Sequence, residues 1–385
     1  MNILLIDIGS YMTGDILLTL KETNNTVTDI FYSFTDKDKY NNPEFEILFE
    51  NTLKSSKKFD VCFSTLIYPI IALLCFEHNI PYVVWSYDSP INLQTPEGLD
   101  YPTNHFYLFD KSEVKRWNQL GYFCFHHLPL AVNTQRLKKI CRYDSSFSCD
   151  VSMMGKLYNS TLPYLRNFMN QYCQGYIDSL INIQLNMYGC FLIDNALTDS
   201  LLSQINSSLS EKEAEFTNVT KAQLSYSIST QITYIERITL LRQLASKCKT
   251  NLYTYNISQN EKKLLNNVNI NGPVSYGFEM PNLFYSSKIN LNPTLKNIQT
   301  GICLRALDIL GCGGFLLSNY QEELAEHFID GKEIILYESI DDAVEKAYFY
   351  LKHDDLRNKI ALAGQERTAK DFKFRDRIKI LFSEL

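Results

Sequence analysis

No stretch of this chain reaches the ~20 uninterrupted apolar residues that a membrane-spanning helix requires. The nearest approach, Leu66 to Phe76, stops at Glu77 and His78, so no transmembrane segment is expected. The opening MNILLIDIG is apolar but short, lacks a basic leading stretch and a small-residue cleavage site, and runs into Gly9 as a first strand would. No signal peptide is read there, and a cytoplasmic location is the expectation. The 10 cysteines show no CxxC pair or regular spacing, which points to reduced, mostly buried thiols rather than a disulfide frame or zinc site. Basic clusters interleaved with aromatics are missing and the net charge is −6, so nucleic acid is not an expected partner. The sequence also lacks a G-x-S-x-G elbow and a G-x-x-x-x-G-K-[ST] loop, which sets aside serine hydrolase and NTPase chemistry. Asp36-x-Asp38 is the sole Asp-x-Asp, and its flanking lysines mark a solvated turn. No repeat of 20 to 50 residues is present to suggest a solenoid.

What is present is a long chain rich in core-forming side chains. With 385 residues, 45% hydrophobic content, 25 Tyr and 23 Phe, it can bury two cores of roughly 150 to 200 residues each. Short β-rich runs alternate with helical stretches: Asn2 to Ile8, Thr26 to Phe34, Phe59 to Ser64, Tyr82 to Tyr87, His105 to Phe109 and Phe123 to Leu128. Pro43 to Ser55 and Leu66 to His78 carry apolar residues at helical spacing between them. Crossovers of that length let strands lie parallel with helices on both faces, so residues 1 to 140 read as a Rossmann-like domain.

A second series opens at Asp150 to Met154, and is then interrupted by a helical, glycine-poor stretch over 160 to 249. Alternation resumes at Asn251 to Tyr255, Gly272 to Tyr276, Lys288 to Asn292, Gly314 to Ser318 and Ile334 to Tyr337. The reading is an α/β protein of two Rossmann-like domains facing a cleft, the second spanning 141 to 370 with a helical insertion. Residues 371 to 385 are expected to form a helix that packs back on the first domain. Open α/β sheets bind ligands at their carboxyl ends, a geometry suited to two substrates.

The stretch TGICLRALDILGCGGFLLS, Thr300 to Ser318, carries the most chemistry. Gly301 at a helix start lets N–H groups approach a diphosphate, which the helix dipole favours. Arg305 one turn in can add a bidentate contact. Asp308, about two turns after Gly301, can accept from ribose hydroxyls. The competing reading is a loop end, an exposed ion pair and a helix C-cap. Gly155 and Lys156, after the first strand of the second series, either face phosphates or form an ordinary turn. Asp88, in YVVWSYDSP, is either a general base toward an acceptor hydroxyl or an Asx-type turn cap. Gly9 and Ser10 close the first strand on the same side. His126 and His127 point to opposite faces of a strand and have no metal-ligand spacing around them.

The chain resembles the CgeB-type, spore-maturation glycosyltransferases within the group sharing the GT-B fold. The matching stretches are YIERITLLRQLA (Tyr234 to Ala245), LYTYN (Leu252 to Asn256), GPVSYGFEMPNLFYSSKINLNPTL (Gly272 to Leu295) and TGICLRALDILGCGGFLLSNYQEELAEHF (Thr300 to Phe328). The resemblance covers most of 234 to 370. It implies transfer of a sugar from a nucleotide-diphosphate donor, with a UDP-sugar the expected co-substrate, no metal and no other cofactor. It also implies that the loop Gly272 to Pro281 flanks the base and that Gly301, Arg305 and Asp308 address ribose and diphosphate. Gly155, Lys156, Tyr276, Met280, Asn292 and Thr300 are counted with them as donor-binding. Asp308 matches the second acid of an acid-x7-acid pattern, whereas Thr300 stands where the first would be, so the stereochemical outcome stays open. The acceptor, whether protein, glycan or surface polymer, is not readable. A non-catalytic nucleotide-sugar or glycan binder is the alternative, and a nucleotide-sugar epimerase would need a second acid near Asp308 that the sequence does not offer.

Overall fold

The computed structural model describes residues 1–383 except 36–37, 56–57, 92, 94, 213 and 215–217. Asp36 therefore lies outside the described residues, while the Asp38 carboxylate accepts the Thr35 hydroxyl at 2.6 Å. The chain divides into two compact units. The first holds Met1–Thr134, Gly301–Leu307 and the chain from Thr368 onward; the second holds Gln135–Thr300 and Asp308–Arg367. The change from the first unit to the second falls at Gln135. Beyond it the backbone is tied into the second unit, Arg142 N–H donating to Asn282 Oδ1 at 3.0 Å and Asp144 N–H to Ser286 Oγ at 2.8 Å.

The first unit is a parallel sheet of β1 (Asn2–Asp7), β2 (Thr26–Phe31), β3 (Val61–Ser64), β4 (Tyr82–Ser86), β5 (Asn104–Leu108) and β6 (Phe125–His127), in the order β2-β1-β3-β4-β5-β6. β3 and β4 are buried along their whole length, as a parallel strand covered by helices on both faces must be. The helix Pro43–Ser55 places Phe45 and Phe49 in the core beside Leu4, Ile6, Val84 and Phe106. The C-terminal segment completes this unit: Phe374 meets Trp85 edge-on at 5.8 Å and Phe382 meets Phe63 at 5.9 Å.

The second unit is a parallel sheet of β7 (Cys149–Met154), β8 (Thr250–Tyr253), β9 (Asn269–Asn271), β10 (Ser287–Asn292), β11 (Leu316–Asn319) and β12 (Ile335–Tyr337). Its order is β12-β11-β10-β7-β8-β9. Counting from β7 as first strand, this is the 3-2-1-4-5-6 order whose direction of winding reverses between strands one and four, here β7 and β10. The expected strand Gly272 to Tyr276 is instead an irregular loop, and β9 lies just before it. Two asparagines in three residues hide that strand, since Asn is depleted in sheets.

Helices between β7 and β8 form the insertion, with its own apolar cluster around Leu165, Cys173, Ile177, Ile205 and Leu209. The long helix Lys221–Ala245 joins this cluster to the sheet. Its start is fixed by a capping box, Gln223 N–H donating to Thr220 Oγ1 and Thr220 N–H to the Gln223 side chain. Leu224, Ile228 and Ile232 recur at four-residue spacing on the face that enters the insertion core, while Ile238, Leu241 and Leu244 enter the sheet core. Burying one such side chain is worth about 2 kcal/mol. All 10 cysteines are free thiols. Among the described residues no helix is long and apolar enough to cross a membrane.

Candidate functional site

Beyond the carboxyl ends of β7, β9 and β10 lie, respectively, Gly155 with Lys156, Tyr276, and Thr300 with Asp308. The loop before the helix Glu279–Ser286 is shaped by Ser275. Its N–H donates to Glu279 Oε2 at 2.7 Å, and its hydroxyl accepts the Glu279 N–H at 3.2 Å. This cap orients Tyr276, whose hydroxyl donates to Asp308 Oδ1 at 2.8 Å. Asp308 lies on the helix Leu304–Gly311 and is 3% exposed. Tyr276 and Asp308, 32 residues apart, are thus brought together as one hydrogen-bonded pair.

Gly155 leaves β7 with φ +143°, a backbone conformation that a side chain would oppose. Its N–H donates to Tyr253 O at 2.9 Å. Lys156 follows with its side chain exposed and its carbonyl turned inward onto the guanidinium of Arg237. Arg237 also donates to the carbonyl of Pro293, just beyond β10. Glu236 beside it is fully buried. It accepts from Tyr188 Oη at 2.7 Å and Tyr337 Oη at 3.3 Å, and pairs with Lys296 Nζ at 3.1 Å. Burial, then the neighbouring Glu236 carboxylate, pushes both phenols well above the usual tyrosine range.

Several expectations need correction. The helix begins at Leu304, not at Gly301, so Gly301 contributes no helix-start N–H and its spacing to Asp308 is not two helical turns. Gly301 is buried within the first unit, where a Cβ would stand 2.8 Å from the Phe109 ring and backbone oxygen and 2.9 Å from Asp110 Cα. Close packing, not an open phosphate cradle, demands glycine there. Met280 is fully buried on its helix, a core residue. Asn292 is also fully buried; its amide donates to Ser318 Oγ at 3.1 Å and its carbonyl accepts from that hydroxyl at 3.0 Å. That exchange stitches β10 to β11 and presents no polar surface to a ligand. Thr300 donates to Glu323 Oε1 at 2.9 Å, and Glu323 N–H returns to Thr300 O at 3.1 Å. Arg305 is half-buried on the helix that carries Asp308.

In the first unit Asp88 is exposed in the loop after β4, its backbone oxygen accepting Ser86 Oγ at 3.0 Å. Gly9 N–H and Thr13 Oγ1 both donate to Asp7 Oδ1 at 2.9 Å, which sets the turn after β1. His126 is half-buried, its ring 5.3 Å from that of Tyr107. Among the described residues no three His, Cys, Asp or Glu side chains group as a metal site.

Residues 237–383 match the glycosyl transferase-like family model. The match contains Tyr276, Asp308 and Arg237, and that part of the chain is similar to glycosyl transferase-like proteins. The whole chain has the GT-B fold. It aligns with HepE of Anabaena, solved with UDP-glucose, at 12% identity over 100% of both chains with a TM-score of 0.58. It aligns with sucrose-phosphate synthase of Thermosynechococcus elongatus at 8% identity over 100% of this chain and 98% of that one, with a TM-score of 0.59. A glycosyltransferase of Rickettsia africae aligns at 11% identity over 99% and 98%, with a TM-score of 0.56. No curated protein sequence matches the chain.

Arg237, Glu236 and Lys296 belong to no functional motif in the sequence. A signal was present: between Gln223 and Leu241 the chain is apolar or hydroxylic apart from Gln231 and this one adjacent charged pair. Charges on a helix buried all round call for a specific partner.

Proposed function

We propose that the protein is a glycosyltransferase using a nucleoside-diphosphate sugar, a UDP-sugar in the first instance, of the CgeB type and working in the cytoplasm. The observation that carries this reading is the buried Asp308 carboxylate held by Tyr276 at the carboxyl edge of a Rossmann-like sheet. Asp308 accepts from the ribose hydroxyls. Arg305, one turn earlier on the helix, and the exposed Lys156 offset the charge of the diphosphate. In the reaction the bond from the anomeric carbon to the diphosphate oxygen breaks, and its electron pair leaves with the nucleotide. A bond from the acceptor oxygen to that carbon forms, and the acceptor proton passes to Asp88 as general base. The cations do the work of a metal, so chelation with EDTA leaves the rate unchanged.

A second reading, a non-catalytic nucleotide-sugar binder, is favoured by Thr300, whose hydroxyl donates to Glu323 at the position where the acid-x7-acid pattern has a carboxylate. Nucleotide binding and turnover separate the two. In a thermal-shift panel of UDP, GDP, CDP and dTDP, UDP raises the melting temperature of the native chain; a ligand at 100 times its Kd adds about 2.7 kcal/mol. Asp308→Ala loses that shift and Tyr276→Phe keeps part of it. An equal shift in Asp308→Ala would remove Asp308 from the site, and no shift with any nucleotide would sink the reading. Release of UDP from UDP-sugars, lowered by about 100-fold or more in Asp88→Asn, distinguishes an enzyme from a binder.

A further inference from the structure

We propose that Arg237 is the positioning residue of the nucleotide site, fixing to one another the two strand exits that flank the winding reversal of the second sheet; this rests on the nucleotide-binding reading above. β7 and β10 lie side by side, Val151 opposite Ile289 and Ser152 opposite Asn290. Their exits are the turn at Gly155 and Lys156 and the loop that starts at Pro293 and runs to Thr300. The crevice outside such a pair of strand ends is where open sheets of this order bind their ligands. Arg237 reaches both exits at once, one terminal nitrogen donating to the Lys156 carbonyl and the other to the Pro293 carbonyl. Its guanidinium also stacks 4.9 Å over the Tyr158 ring, in the same turn as Lys156.

The geometry depends on the chemistry of arginine. A planar guanidinium presents its two terminal nitrogens at fixed separation and angle, so the two carbonyls it holds are fixed as well. A lysine ammonium is a point charge on a flexible stem and can hold one carbonyl without setting the other. The same helix grips the Pro293 loop twice more: Lys296 N–H donates to Thr233 Oγ1 at 3.0 Å, and Lys296 Nζ pairs with Glu236. Thr233, Glu236 and Arg237 stand at i, i+3 and i+4 on one face of the helix, all at most 1% exposed. Burying such charges costs several kcal/mol before pairing, and well-packed apolar residues often serve stability as well or better. Stability alone therefore does not call for this pair, whereas holding two ligand-facing loops in register does.

The test compares UDP affinity by titration calorimetry in the native chain, Arg237→Lys, Arg237→Ala and Leu241→Ala. Leu241 is equally buried on the same helix but packs in the sheet core, so it reports what lost stability alone does. Arg237→Lys is expected to weaken UDP binding about tenfold or more, the scale on which small misplacements act, while Leu241→Ala lowers the melting temperature and leaves the affinity of the folded protein unchanged. Guanidinium ion at millimolar concentration restores UDP binding to Arg237→Ala and leaves the native-like affinity of Leu241→Ala unchanged. Native affinity in Arg237→Lys, or an equal loss in Leu241→Ala, would overturn the proposal even if the site is real. Should Arg237→Lys not fold, failure of guanidinium to restore binding to Arg237→Ala overturns it instead. A native chain that binds none of UDP, GDP, CDP and dTDP brings down the nucleotide reading, and this inference with it.

Discussion

The two sheets hold their strand exits by different means. In the first unit the exits of β1, β4 and β5 are each set by a carboxylate close by in sequence or in the neighbouring loop. Asp7 gathers Gly9 N–H and Thr13 Oγ1, Asp110 accepts Ser112 N–H at 2.9 Å, and Glu113 accepts Ser89 Oγ at 2.6 Å and Ile91 N–H at 2.7 Å. In the second unit the exits of β7 and β10 are held by charged side chains of one helix, 81 and 56 residues away along the chain. Local caps fix single turns independently and each adds modestly to stability. A shared clamp couples two loops, so one substitution displaces both. The second arrangement suits a ligand that must touch several loops in one geometry, as a nucleotide does.

Glu236→Ala tests that contrast hardest. It leaves the buried Lys296 ammonium without its carboxylate and removes the acceptor of the half-buried Tyr188 and the buried Tyr337 phenols. Breaking a buried pair from one side costs about 3–5 kcal/mol, and chemical denaturation should read a loss of that size. Replacing Glu236 and Lys296 together by Met should recover most of it, since no charge is then left unpaired. A loss below about 1 kcal/mol in Glu236→Ala, the size of an exposed pair, would break the comparison.

The same contrast explains which features were legible in the sequence. β4 was readable as Tyr82 to Tyr87 and ends at Ser86, because a short apolar run bounded by turn residues has few other folds open to it. Asp308 and Tyr276 were both singled out, although only the fold shows that they bond. Met280 and Asn292 lie in the same matching stretch but face the core, and no spacing rule tells which residues of a stretch point inward when its helix is only eight residues long. Gly301 was misplaced for a related reason: its glycine is required by Phe109 and Asp110, a contact nearly 200 residues distant that local pattern does not carry. Arg237 belongs to this class too, since both of its carbonyl partners lie on other loops.

Asp110→Ala is the intermediate case. Asp110 is the N-cap of the helix Lys111–Gln119, accepting both the N–H and the hydroxyl of Ser112. Loss of such a cap costs about 1 kcal/mol, which denaturation should resolve, and UDP affinity should stay at the native value. If Asp110→Ala weakened UDP binding as much as Arg237→Lys, local caps and the shared clamp would not differ in kind.

The smallest expected effect is one of pH. Glu113 is buried, and desolvation raises its pKa above the ordinary glutamate value, against the lowering influence of Ser89, Ile91 and Arg116. A carboxyl whose folded pKa lies above its unfolded one binds its proton more tightly when folded. Its contribution is therefore fully present below the unfolded pKa, near 4.5, and is lost as pH rises through the folded value. Glu113→Gln cannot titrate, so the stability difference, native minus variant, should fall as pH rises from that value and then level off. Other carboxylates titrate in the same range, and taking the difference between the two proteins removes them. A difference that rises with pH would mean that the three stabilising partners outweigh burial, and that this cap holds its loop as a charged group, like the clamp of the second unit.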